Sequence, residues 1–186
     1  MIMIGNKFKL SPRFLTELSR KSKIAIVGAA GVGKTTLLNE LFELDLITEQ
    51  FNKIPEVVRT LCAQRGYKSP YDIPEDQVHQ FREDVLDKQI ALEDEQDNFI
   101  VDRSCLDAWL YYMRWSWNSV DVEDSERFFK KAFTQTKKYD ALIYVPISFE
   151  LEDDGFRWNN KTYQKQMDRM FREYFRAWDL DLLFLD

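Results

Sequence analysis

Histidine and cysteine are nearly missing from this chain of 186 residues: His79 stands alone, and Cys62 and Cys105 are the only thiols. Three such groups cannot assemble a zinc site of the usual kind, and two cysteines are too few to staple a secreted fold with disulfides. Histidine-based catalysis is set aside on the same count. Long hydrophobic runs are lacking too. Nothing approaches the roughly 18 to 20 apolar residues of a membrane-spanning helix, and Met1 to Leu10 alternates apolar with polar and basic residues instead of forming a signal-peptide block. The expectation is a soluble, cytoplasmic protein with no membrane partner; the oligomeric state is left open. Positive charge is in deficit, 26 basic against 32 acidic side chains for a net charge of −6. That balance argues against a surface that grips nucleic acid through phosphate neutralisation and leaves room only for a local basic groove. Hydrophobic residues, at 45%, suffice for one core in a length of about one domain, which excludes a disordered chain.

Glycine is scarce as well, six in all, yet Gly28, Gly31 and Gly33 fall within six consecutive positions. They follow Lys23-Ile-Ala-Ile-Val27, a short β-branched run that reads as a buried strand, and precede Lys34 to Leu44, where Leu37, Leu38, Leu41 and Leu44 recur at helical spacing. Further along, Phe51 to Ile54 reads as a weak strand, Glu56 to Arg65 as a helix ended by Gly66, and Pro74 to about Gln96 as a long helix. Asn98 to Val101 is a third strand, with an aromatic-rich helix running to about Trp117 and another from Val122 to about Lys138. Ala141 to Val145 is a fourth strand, Lys161 to Trp178 a helix, and Leu180 to Leu185 a fifth strand. Strands alternating with helices predict one α/β domain over residues 23–186, a parallel sheet covered on both faces. Residues 1–22 read as an extension with a short helix near Ser11-Pro12.

Gly28-Ala29-Ala30-Gly31-Val32-Gly33-Lys34-Thr35 matches G-x-x-x-x-G-K-[ST] in full, after a strand and opening a helix. Phosphate oxygens need several converging donors. Glycines let the backbone curl so that successive N–H groups point inward, and the helix N-terminus adds partial positive charge. Lys34 would reach the β- and γ-phosphates of ATP, and the Thr35 hydroxyl would ligate Mg²⁺, with Thr36 completing the loop. A GTPase should also carry Asn-Lys-x-Asp, and the nearest strings, Asn52-Lys53-Ile54-Pro55 and Asn160-Lys161-Thr162-Tyr163, lack the aspartate. No Leu-Ser-Gly-Gly string of a transporter ATPase is present, and the length leaves no room for the helical lid domain of an AAA+ machine.

Together with Pro55-Glu56-x-x-Arg59, Asp102-Arg103-Ser104 and Asp153-Asp154-Gly155-Phe156-Arg157, the phosphate loop resembles the P-loop kinases that include thymidylate kinases, deoxynucleoside kinases and nicotinamide riboside kinase domains. Small phage-encoded kinases, among them those acting on 5-hydroxymethyluracil in viral DNA, are similar. The resemblance implies a P-loop NTPase fold of the nucleoside/nucleotide kinase type, with a five-stranded parallel sheet ordered 2-3-1-4-5 and a lid at about 150–160. It also implies roles. Asp102, at a strand end, would hold Mg²⁺, or would cap the following helix. Arg103 would face the acceptor or the transferring phosphoryl group, or else form a surface ion pair. Glu56 would position the acceptor hydroxyl with Arg59 beside it, and Arg157 would close onto the phosphates. Arg169 is the lid candidate of the basic stripe Lys161, Lys165, Arg169, Arg172 and Arg176. Of the aromatics Trp109, Tyr111, Tyr112, Trp115 and Trp117, most belong to a core, and one or two would stack on a base. The implied activity is ATP- and Mg²⁺-dependent phosphorylation of a nucleoside, a nucleoside monophosphate or modified DNA; the alternative is a regulatory ATPase that binds a protein partner.

Overall fold

The structure is a computed structural model that describes residues 2–4, 8–116, 121–148, 156 and 160–185. The chain opens on an antiparallel hairpin, Ile2–Ile4 (β1) against Phe8–Leu10 (β2), with Ile2 opposite Leu10. Within β2 the alternation is a strand period of two, with Phe8 and Leu10 buried and Lys9 exposed. Pro12–Leu18 (α1) follows, started by the Ser11 hydroxyl, which accepts from Phe14 N–H. Phe14, Leu15 and Leu18 bury their side chains in the same core as the sheet. The expected extension is therefore packed structure.

Lys23–Val27 (β3) is buried from Ile24 onward, as a strand covered on both faces must be. It leads through the glycine loop into Lys34–Leu41 (α2), shorter than the leucine spacing suggested; Asp45–Thr48 (α3) follows as a separate turn of helix. Asn52–Ile54 (β4) is an edge strand, and its exposed Asn52 and Lys53 explain its weak sequence signature. Val57–Gln64 (α4) ends where Gly66 turns left-handed at φ 76°. A 3-10 turn, Pro70–Asp72, closed by a reciprocal Ser69–Asp72 cap, has no counterpart in the sequence reading. Pro74 sits at the cap position of Glu75–Asp94 (α5). Phe99–Asp102 (β5), Cys105–Ser116 (α6), Val122–Thr136 (α7), Ala141–Tyr144 (β6), Lys161–Ala177 (α8) and Leu182–Phe184 (β7) complete the chain.

The five-stranded sheet is parallel throughout and runs β4-β5-β3-β6-β7. Its labels differ from the expected 2-3-1-4-5 because the unforeseen hairpin takes the first two strand numbers; the strand that carries the glycine loop is central. Register sets the site: Ile26 lies opposite Asp102 and Val27 opposite Tyr144, so the loop, the end of β5 and the end of β6 share one sheet edge. In open α/β sheets that carboxyl edge is where ligands bind. No helix among the described residues is long and apolar enough to cross a membrane.

Candidate functional site

The glycine loop closes tightly on the sheet. At Gly28, with φ 145°, a Cβ would lie 2.5 Å from the carbonyl oxygen of Val145 at the end of β6, so the close approach leaves space for hydrogen alone. Gly33 enters α2 in a left-handed conformation, φ 95°, and a Cβ there would press on the Phe8 ring at 3.2 Å. No side chain caps α2, which leaves the N–H groups of its first turn to the loop. Ala29 and Val32 anchor the loop in the core, and the Ala30 carbonyl accepts from Gln164 of α8 at 2.7 Å. Lys34 is buried, its ammonium donating to the carbonyls of Gly28 and Ala29 at 2.7 Å each. Thr36 is half-buried one residue beyond Thr35.

The Thr35 hydroxyl donates to Asp102 Oδ2, while the buried Oδ1 of the same carboxylate has no hydrogen-bond partner. Burial lifts the Asp102 carboxyl above the usual range, and the charge of Glu56 adds to that; Lys34 and Arg103 pull the other way. A buried carboxylate oxygen without a partner beside a hydroxyl is a pair of hard oxygen donors that fits Mg²⁺. Asp102 does not cap α6. Ser104 does, its hydroxyl accepting from Asp107 N–H at 3.2 Å while Asp107 accepts from Ser104 N–H at 2.8 Å.

Arg103 is not a surface residue: it is 8% exposed and left-handed at φ 77°, a conformation costly for a side chain of this size. Its environment holds it there. The Arg103 N–H donates to Ile26 O at 3.0 Å, its carbonyl accepts from Gln89 at 3.0 Å, and Nε donates to Glu56 Oε1 at 2.6 Å. Burial opposes its charge, but Glu56, Tyr111, Asp107 and Asp102 outweigh burial and hold its pKa well above the ordinary arginine value. Glu56 occupies the cap position of α4 without capping it; its other oxygen accepts from Arg59 at 3.1 Å. The Arg59 guanidinium lies 4.1 Å from the centre of the Phe156 ring.

Ala30, Glu56 and Arg103 line one cavity, with Tyr71, Tyr111 and Trp115 on its wall. Of the crowded aromatics, Trp109 and Tyr112 are core residues, and Trp117 lies outside the described residues, as do Asp153, Asp154, Gly155 and Arg157. Arg172 and Arg176 pair with Asp168 and Glu173 on their own helix, and Arg169 is exposed. Among the residues of this region that escaped the sequence reading are Arg82 and Asp107, which line the cavity, and Gln164 behind the loop; Gln89, read only as part of one face of the long helix, lines it too. Arg82 left a trace, a cation set four residues after Val78 and three before Val85 on the apolar face of α5.

The chain is similar in structure to the crystal structure of NadR protein in complex with NR, with a TM-score of 0.67 at 16% identity, over 92% of this chain and 48% of that one. It thus spans about half the length of NadR. It is also similar to deoxyadenosine kinase from M. mycoides with bound dATP, with a TM-score of 0.56 at 19% identity, over 88% and 90% of the two chains. These likenesses establish that the chain shares the fold of those two structures. No curated protein matches the sequence. A family profile described as an AAA domain matches residues 23–186, the stretch from β3 through β7. The chain belongs to this AAA domain family.

Proposed function

We propose that the protein is a kinase that transfers the γ-phosphate of ATP to a nucleoside-type acceptor. One observation carries this reading: the phosphate loop, through Ala30, and the Glu56–Arg103 pair line the same cavity, so a donor phosphate and an acceptor can meet there. The fold shared with a deoxyadenosine kinase supports it. The net charge of −6 favours a free small acceptor over duplex DNA.

The loop amides and the N-terminus of α2 bind and orient the phosphates. Lys34 leaves the carbonyls of Gly28 and Ala29 for the β- and γ-phosphate oxygens. Thr35 and Asp102 are the residues that would hold Mg²⁺, which supplies charge neutralisation on those phosphates when bound. Glu56, fixed by Arg59 and Arg103, accepts the proton of the acceptor hydroxyl as its oxygen bonds to the γ-phosphorus. The bond from that phosphorus to the β,γ-bridging oxygen breaks, and ADP departs with the electron pair. Arg103 stabilises the charge on the group in flight, and its locked backbone means that little reorganisation is needed.

The test is transfer of radiolabelled γ-phosphate from ATP to a panel of nucleosides, nucleoside monophosphates and hydroxymethylated DNA. Acceptor-dependent product is expected, lost in Lys34→Ala with the far-UV circular dichroism retained. An active Lys34→Ala variant would sink the assignment, and ADP formation indifferent to every acceptor would identify a regulatory ATPase.

A further inference from the structure

The cavity holds a cation that the proposed transfer does not use. Arg82 projects from α5 into the cavity, with its Nε buried and without a hydrogen-bond partner, and it forms no ion pair among the described residues. Of the acids on the cavity wall, Glu56 holds Arg103 and Arg59, and Asp107 accepts from Ser104 through Oδ2, while its buried Oδ1, without a hydrogen-bond partner among the described residues, lies 3.8 Å from Arg103. Tyr111, on the same wall, places its ring 5.2 Å from the Arg103 guanidinium, and its buried hydroxyl also has no hydrogen-bond partner. Two donors, one of them charged, are thus left unsatisfied at one cavity. Burial pushes Arg82 below the usual arginine range, and the charge of Arg103 adds to the effect. Arg82 is half-buried, and leaving its buried Nε without an acceptor is costly unless a group from outside the chain supplies one.

We propose that the acceptor carries an oxyanion, a phosphate monoester or a carboxylate, and that Arg82 and Tyr111 bind it in the cavity beside the Glu56–Arg103 pair. The planar fork of an arginine matches both groups, and a phenol supplies the further donor. The proposal rests on the kinase reading for the word acceptor, and the oxyanion site itself stands on the cavity alone. It selects among the acceptor classes that the sequence left open: an acceptor already bearing negative charge is favoured over a neutral nucleoside. Arg82 would then be a specificity-determining residue with no part in the transfer step.

The experiment compares kcat/KM for deoxynucleosides, their 5′-monophosphates and carboxylate-bearing nucleosides, in the wild type and in Arg82→Gln, Arg82→Lys and Tyr111→Phe. Anionic acceptors should lead neutral ones by tenfold or more. In Arg82→Gln the anionic-to-neutral ratio should fall about 10- to 100-fold, the scale of one charge-assisted contact, mainly through KM of the acceptor and with KM for ATP unmoved. Arg82→Lys should restore part of the ratio, and Tyr111→Phe should lower it less. Which anionic arm responds separates phosphate from carboxylate. Neutral acceptors preferred by the wild type, or a ratio that Arg82→Gln leaves alone, would overturn the proposal. Should no acceptor receive phosphate, the kinase reading fails, and calorimetric titration of the same monophosphates and nucleosides still decides. Monophosphate binding that Arg82→Gln abolishes upholds the oxyanion site; equal binding to the wild type and the variant overturns it.

Discussion

At the scale of single residues the site is built from positions where alternatives are sterically or electrostatically closed. Gly28 is the clearest. Its hypothetical Cβ meets a backbone carbonyl at 2.5 Å that cannot turn aside, so Gly28→Ala should cost about 2 kcal/mol or more by chemical denaturation. Gly66, at φ 76° with open space around it, should cost only about 1 kcal/mol in the same substitution. Comparable losses at the two sites would refute the contrast. A second test concerns Glu93, fully buried behind the site, which accepts hydrogen bonds from Gln89, Tyr139 and Gln135. Burial raises its pKa, and those hydrogen bonds pull it back only in part. The native state therefore keeps a proton that the unfolded chain has already lost, and stability present below about pH 4 is lost as pH rises through the raised native value. Whatever the constant offset of Glu93→Gln, its stability relative to wild type should improve between pH 4 and 7. A difference that stays flat or moves the other way would show an ordinary carboxylate. The sequence made Lys34, Thr35 and Asp102 legible because a spacing rule and a strand end carry their meaning. It made Arg82 and Glu93 illegible because a charged residue in a helix reads as solvated until its neighbours are known.

Between elements, the unexpected part is the N-terminal hairpin. Phe8 of β2 is buried, and its ring would lie 3.2 Å from a Cβ at Gly33, so the hairpin buttresses the turn from the phosphate loop into α2. Phe8→Ala should lower stability by about 3 kcal/mol and raise KM for ATP, since the loop loses its backing; an unchanged KM at reduced stability would limit Phe8 to packing. A three-residue strand is too short for its period of two to be distinctive, so the alternation in Met1 to Leu10 does not by itself announce a strand. β4 was faint for a related reason: an edge strand with exposed Asn52 and Lys53 gains its identity from pairing with β5. The long elements were plain, because the leucines of α2 and the apolar face of α5 repeat at the helical period.

At the scale of the whole molecule, two apolar clusters among the described residues divide the work. The larger joins β2, α1, the sheet and α6 to α8; the smaller, built from Val57, Leu61, Cys62, Ile73, Phe81 and Val85, lies under α4 and the Pro70–Asp72 turn. The wall that carries Glu56 and Arg59 thus rests on less buried apolar surface than the strand that carries the phosphate loop. Amides of α4 should exchange with solvent sooner than those of β3 and β5, and should gain protection when ATP and acceptor bind. Uniform protection across both regions would contradict this division. From sequence alone came the alternation of strands and helices, the phosphate loop and the order of the motifs along the chain. These depend on local spacing and on backbone freedom, which neighbouring residues specify. Only the tertiary structure joined Glu56 to Arg103 across 47 positions, set Ser104 and not Asp102 as the helix cap, and left Arg82 at the cavity with no ion pair among the described residues. Those outcomes depend on which groups are buried together, and burial is a property of the packed chain.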